Sequence, residues 1–248
     1  IPGGIFWIKA NILSKYFNKH YWIRKLFVNN FFSKFVNQKL LNKIVFNSIY
    51  KSNHWNKSKK FDQSQSYSGP GSAANSIQTN NLINELEKFF KENHIKNILD
   101  APCGDCAWIK RIFENNIEYT GIDIVKDLIN KNKEIFKSNK NVNFYCEDLV
   151  EYNKFDNFDF ILMRDFFIHL PLPLINKVLL KLKNSNCKFF AFNSYENVIN
   201  NKNIVTGQHR KINLLKKPFN LNEPFFKIQE INNENFPDDG SFIYIYKN

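Results

Sequence analysis

From Lys96 to the C-terminus, short apolar runs alternate with helical stretches, and that alternation confines the chain to few folds. The candidate strands are 97–101, 119–124, 142–147, 158–163, 188–193, 225–230 and 242–246. Helical patterns separate the first five. Strands joined in this way make right-handed crossovers and a parallel sheet. The last two are linked by residues 231–241, a polar stretch containing Pro237-Asp-Asp-Gly240 and too short for a crossover helix. They should therefore pair antiparallel. Upstream, Ile77, Leu82, Ile83, Leu86, Phe89 and Phe90 fall on one helical face over 77–93, which predicts an amphipathic helix leading into the sheet. Residues 53–76 are rich in Ser, Asn, Gln and Gly and read as a loop.

Charge divides the chain. Residues 1–60 hold twelve Lys or Arg and no acid, whereas 61–248 hold 23 of each sign, so the net +12 belongs to the N-terminal quarter. A neutral remainder argues against nucleic acid as the partner. Within the basic quarter, apolar residues recur at helical spacing at Ile12, Leu13, Tyr16, Phe17, Ile23, Leu26, Phe27, Phe31, Phe32, Phe35 and Val36. One or two basic amphipathic helices are expected over 5–50. Such helices suit the surface of an anionic membrane, the flank of the main domain, or a second subunit in an oligomer. The expected division is a helical extension over 1–52, a Ser/Gly-rich loop and candidate lid over 53–76, and the main domain over 77–248. No apolar run is long enough to span a bilayer, and no signal peptide is recognisable. Four cysteines are too few for a disulfide framework. The expected location is cytoplasmic, with the inner face of the membrane within reach of the arm. Cys103 and Cys106 have C-x-x-C spacing but lack a second ligand pair, so no metal is expected.

Ligands of open α/β sheets sit at the carboxyl ends of the strands. Here the first strand ends in Asp100-Ala101-Pro102-Cys103-Gly104-Asp105, with a helix expected over 106–113 whose free amides would face a polar ligand. The second ends in Gly121-Ile122-Asp123, where a carboxylate can accept both hydroxyls of a ribose. The third ends in Glu147-Asp148-Leu149, where one can take the amino group of an adenine. The fourth ends in Arg164-Asp165. The pyrophosphate fingerprint G-x-G-x-x-G is absent. Four carboxylates in series at four strand tips are hard to attribute to chance.

Over about 77–248 the sequence resembles the class I S-adenosylmethionine-dependent methyltransferases. Within them it resembles a bacterial group whose first motif reads L-D-A-P-C-G-D, followed by an aromatic residue and Trp. Leu99–Asp105 and Trp108 match that pattern, although Cys106 stands where an aromatic residue is expected. Tyr67-Ser-Gly-Pro-Gly-Ser72, His169-Leu170, Gly207-Gln-His-Arg210 and Asn213-Leu214 match as well. The resemblance implies a Rossmann-like seven-stranded, mostly parallel sheet with an antiparallel C-terminal hairpin. It implies S-adenosyl-L-methionine as cofactor, held by Asp100, Gly104, Asp123 and Asp148. Ala101, Pro102, Asp105, Trp108, Ile124, Leu149 and Arg164 are expected around it.

A methyl group on a sulfonium is already activated, so transfer needs alignment and a free lone pair on the acceptor. A hydroxyl acceptor also calls for a general base. His169, one turn past the fourth strand, is the first candidate, with His209 and Asp165 behind it. Tyr67, Arg210 and Asn213 are expected on the acceptor, Arg210 as a clamp for carboxylate or phosphate. The expected function is O-methylation of a small polar acceptor such as a sugar or glycan intermediate. The alternatives are N- or S-methylation of a small metabolite, and a non-catalytic, membrane-docked binding protein of the same fold.

Overall fold

The computed structural model describes residues 37–56, 66–114, 117–231 and 240–248. The apolar repeat at 12–36 therefore lies outside the described residues, as does part of the Ser/Gly-rich loop. Helix α1 spans Gln38–Lys51 and is capped by Asn37, whose side chain accepts from the Lys39 amide. Helix α2 spans Ile77–Glu92 and is capped by Ser76, which accepts from the Thr79 amide. Strands β1 (Asn97–Asp100), β2 (Glu118–Asp123), β3 (Val142–Cys146), β4 (Phe160–Met163) and β5 (Phe189–Tyr195) follow. Helix α3 (Lys126–Ile135) lies between β2 and β3, and α4 (Leu172–Lys183) between β4 and β5. Strands β6 (Phe226–Gln229) and β7 (Ser241–Lys247) close the chain.

The seven strands pair in the order β3-β2-β1-β4-β5-β7-β6. The β1–β5 pairings are parallel, and β7 runs antiparallel to both β5 and β6. All seven expected strands form, each within a few residues of its expected bounds. Alternation along the strands feeds two cores. Ile98 packs with Leu86, Phe89, Tyr119 and Phe160 on one face, and its neighbour Leu99 with Ile161, Ile175, Val178 and Phe192 on the other. The central strand β4, Phe-Ile-Leu-Met, is buried along its whole length, as a strand covered on both faces must be.

The helix expected over 106–113 does not form. The chain runs through turns to a short 3₁₀ segment at Lys110–Glu114. Cys106 takes a left-handed φ of 53°, which breaks a right-handed helical path at its first turn. Trp108, Ile109, Ile112 and Phe113 are all buried, and tertiary packing prevails over helical periodicity.

Helix α1 buries Leu41, Val45 and Ile49 with Asn42 and Ser48 on one face, against the loop carrying Val205. The fit is close: a β-carbon on Gly207 would stand 2.3 Å from Val45 Cγ1. This part of the basic extension is packed on the sheet domain. No helix among the described residues is long and apolar enough to cross a membrane.

Candidate cofactor and acceptor site

Three chambers open at the carboxyl ends of the parallel strands, as the topology requires. The first is lined by Asn42, Phe46, Asp123, Ile124, Asp148 and Leu149 among others, the second by Asp100, Gly104, Asp105, Trp108 and Arg164, with Pro102 and Tyr50 shared between them. The third, about 270 Å³, is lined by Gln78, Ile168, Tyr195, His209, Glu230 and the Ser68–Gly71 turn. Trp55, Asp165 and His169 line all three.

In the first chamber Asp123 is buried at the tip of β2. Its carboxylate accepts from the amides of Gly104 (3.1 Å) and Val125 (2.9 Å). Burial pushes its pKa up to about 6, against the pull of those amides. A buried carboxylate held by amides retains lone pairs for further donors, which is what ribose hydroxyls supply. Asp148, after β3, accepts from the Val150 amide (3.0 Å) and from Asn42 Nδ2 (3.1 Å). Burial raises its pKa as well. Asp100 accepts from the Tyr119 hydroxyl at 2.6 Å, and burial lifts it to about 7. Ala101 is fully buried and gives its amide to the Leu162 carbonyl.

The second chamber is roofed by the turn at Ser66–Ser72. Asp105 ties that turn down: its carboxylate accepts from Ser66 Oγ (2.8 Å), the Tyr67 amide (2.7 Å) and the Ala107 amide (3.2 Å). Gly104 explains how the turn comes so near. At φ 54°, a β-carbon there would meet Ser68 Oγ at 2.2 Å. Arg164 secures the other end of the turn. It donates to the Gly71 carbonyl (2.9 Å), to Ser72 Oγ (3.2 Å) and through Nε and Nη2 to Glu230 Oε1 (3.0 and 2.9 Å). Its guanidinium also lies over Trp108, 5.1 Å from the ring centroid. Glu230 accepts in addition from Asn193 Nδ2 and Ser241 Oγ, both at 2.7 Å. Asp105 and Arg164 thus line the chamber while their polar atoms hold its roof.

His169 is buried at the junction of the three chambers. Its Nδ1 lies 3.0 Å from the Gln208 carbonyl, which can only accept, so Nδ1 carries the proton and Nε2 the lone pair. Burial lowers its pKa to about 4. Trp55 stacks on it with centroids 5.1 Å apart, and His209 lies at 5.7 Å. Asp165 takes a left-handed φ of 54°, with its amide donated to Asn193 Oδ1 at 2.6 Å.

Three expected acceptor residues line none of these chambers. Arg210 is engaged by backbone, donating to the carbonyls of Phe167 (2.6 Å), Leu170 (2.8 Å) and Lys202 (3.1 Å). That geometry fastens the 202–210 loop to the segment after β4 and spends the fork that was expected to grip an acceptor. Asn213 is buried, donating to the carbonyls of Val198 and Glu196. The Tyr67 ring is exposed under Lys131, and its amide serves Asp105. Cys103 and Cys106 are buried free thiols, and no cluster of metal-ligating side chains occurs among the described residues.

The extension supplies Asn42, Phe46 and Tyr50, and the start of the following loop supplies Trp55, none of which sequence reasoning placed at the site. One signal was present, the polar Asn42 on the otherwise apolar stripe Leu41-Val45-Ile49. Tyr50 reaches the roof, its hydroxyl 3.1 Å from Ser68 Oγ. The first two chambers hold about 50 Å³ each. Ligand sites are several times larger, and Tyr50 and Trp55 line both chambers, so a nucleoside would need these two rings to move.

The sheet order and the acidic strand tips define a class I methyltransferase fold. Residues 99–185, about a third of the chain, match the family model of a methyltransferase domain. The residues present fit S-adenosylmethionine, the donor bound in a structure of this fold: Asp123 offers acceptor capacity for a ribose, and polar side chains line the second chamber. No curated protein matches. Solved structures do match in fold. Magnesium protoporphyrin IX methyltransferase from Synechocystis, with bound S-adenosylmethionine, aligns at a TM-score of 0.57 and 11% identity, over 85% of this chain and 96% of that one. The 1,6-didemethyltoxoflavin-N1-methyltransferase of Burkholderia thailandensis aligns at 0.54 and 14%, over 70% and 79%. An S-adenosylmethionine-dependent methyltransferase from Clostridium acetobutylicum aligns at 0.52 and 13%, over 69% and 92%. Likeness at such identities establishes the fold.

Proposed function

We propose that this methyltransferase methylates a hydroxyl of a small polar acceptor, of the sugar or glycan-intermediate kind, bound in the third chamber. One observation carries the reading: Trp55, Asp165 and His169 form a wall common to the two cofactor chambers and to the third. A methyl group delivered along the second chamber would meet an acceptor at that wall. The bound cofactor supplies a sulfonium-activated methyl group; the chain must align the acceptor, exclude water and take a proton. His169 is placed for the last task by geometry, with Nδ1 fixed on Gln208 and Nε2 left to accept, while the burial that keeps it neutral also makes it a weaker base. Asp165 stands beside it as a second acceptor of the proton. Gln78, Tyr195, His209 and Trp55 offer hydrogen bonds and ring faces, the chemistry that a hydroxylated ring engages.

The test is incubation with cofactor labelled in the methyl group and fractionated extract, followed by mass spectrometry of the labelled product. A product methylated on oxygen, with its rate reduced about 10²- to 10⁴-fold in His169→Asn, is expected. Methylation on nitrogen or sulfur at an undiminished rate in that variant would refute the hydroxyl reading.

A further inference from the structure

Asp148 is suited to reading an adenine amino group only while it is ionised. A carboxylate accepts from an amino group, whereas a carboxylic acid also donates and would favour an exocyclic carbonyl oxygen instead. Burial raises its pKa, so the environment works against the form that is needed. The first helix supplies a donor that favours the anion. Asn42 Nδ2 donates to Asp148 Oδ2 at 3.1 Å, across 106 residues of chain.

The Asn42 amide is itself fixed in orientation. Its Oδ1 accepts from Gln38 Nε2 at 2.7 Å and from Thr206 Oγ1 at 3.4 Å. With Gln38 Nε2 donating to the oxygen, the nitrogen is directed at Asp148; a flipped amide would set its oxygen against the carboxylate and its nitrogen against Gln38 Nε2. Asn42 is 1% exposed, and both it and Asp148 line the first chamber. Asp148 Oδ1 takes the Val150 amide. Each carboxylate oxygen therefore receives one donor from the protein and keeps acceptor capacity for a ligand.

We infer that Asn42 is a positioning residue for the purine end of the cofactor. Through it, the N-terminal helix holds Asp148 as an anionic acceptor that selects a 6-amino purine over a 6-oxo purine. The inference rests on the reading that the first chamber holds the adenosine moiety. The relay Thr206/Gln38 to Asn42 to Asp148 joins three separate parts of the chain, so the selectivity depends on α1 being docked.

Calorimetry on the full chain tests it with two thioether probes, S-adenosylhomocysteine and S-inosylhomocysteine, at pH 8 and pH 6. The wild type should prefer the adenine thioether. Asn42→Leu removes the donor, and Asn42→Asp removes it while keeping the shape and adding a like charge beside Asp148. Both should weaken binding of the adenine thioether about tenfold or more and leave the inosine thioether nearly unchanged, so that the preference collapses. In Asn42→Asp the loss should be larger at pH 6, because a neighbouring carboxylate favours protonation of Asp148. Lys43→Ala, on the exposed side of α1, should bind as wild type does. A preference that survives in the folded variants, whatever the absolute affinities, overturns the relay, and so does failure of both variants to fold. A wild type that binds the adenine thioether without preference overturns the relay and leaves the cofactor reading intact. A wild type that binds neither overturns both.

Discussion

Asp123 and His169 are buried titratable groups whose environments push them in opposite chemical directions, and each yields a measurable consequence. Asp123, lifted to about 6, accepts ribose hydroxyls best as an anion. Binding of S-adenosylhomocysteine should therefore tighten as pH rises from 5 to 7, with proton release detectable in buffers of different ionisation enthalpy. A flat profile would exclude Asp123 from the contact. Asp123→Ala should weaken that binding on the order of 10- to 100-fold, the loss of one or more charge-assisted hydrogen bonds, without unfolding the protein. His169 is lowered from 6.5 to about 4, so between those values the unfolded chain binds a proton that the folded chain refuses. The sign follows from that difference: stability is present above pH 6.5 and falls as pH drops toward 4, by up to about 1.4 kcal/mol per pH unit. His169→Phe cannot titrate and can still stack on Trp55. Its denaturant-unfolding free energy should lose less than the wild type's between pH 6.5 and 5, whatever the constant offset between them. Parallel curves would show that His169 does not titrate as its burial demands.

The roof over the second chamber behaves as an element because its anchors come from far away in sequence. Asp105 holds Ser66 and Tyr67, Arg164 holds Gly71 and Ser72, and Gly104 gives the turn room. Gly104→Ala would force a β-carbon against Ser68 and strain a left-handed backbone, at a cost of roughly 1–3 kcal/mol. The variant should lose cofactor affinity and expose the 66–72 turn to limited proteolysis; wild-type digestion kinetics would count against the turn as a roof. Trp55 should report the opening on the other side. Its environment must change if it swings to admit a nucleoside, so S-adenosylhomocysteine should alter the tryptophan fluorescence of the wild type but alter that of Trp55→Phe much less. The strands and their acidic tips were legible in the sequence because period and position suffice to place them. The stretch after β1 was not, since its four bulky buried side chains fit a helix and a packed turn equally well until the partners are known. Arg210 and Asn213 looked like acceptor residues for a related reason: a side chain satisfied by backbone carbonyls of a distant loop carries no local mark of it.

At the scale of the whole molecule, the N-terminal extension is tied to the sheet domain through helix α1. Six of the twelve basic residues within 1–60 precede residue 37. Helix α1 commits Leu41, Val45 and Ile49 to the domain, each 7% exposed or less. At roughly 1.5–3 kcal/mol per buried aliphatic side chain, their burial favours docking of the helix and offsets the entropy of ordering it. They also carry Asn42, Phe46 and Tyr50 into the first chamber. Removing residues 1–36 should therefore leave the unfolding transition and the affinity for S-adenosylhomocysteine within about twofold of the full chain. Removing residues 1–52 should strip a wall from the cofactor site and uncover Val205 and Gly207, giving a protein that unfolds far below the wild-type midpoint or is recovered only as aggregate. Thermal unfolding and calorimetry on the two truncations make the comparison directly. Equal behaviour of the pair would mean that α1 contributes neither stability nor a binding surface, against the contacts of Asn42 and Val45. Loss of binding already in the shorter deletion would instead assign a part of the site to the residues before Asn37.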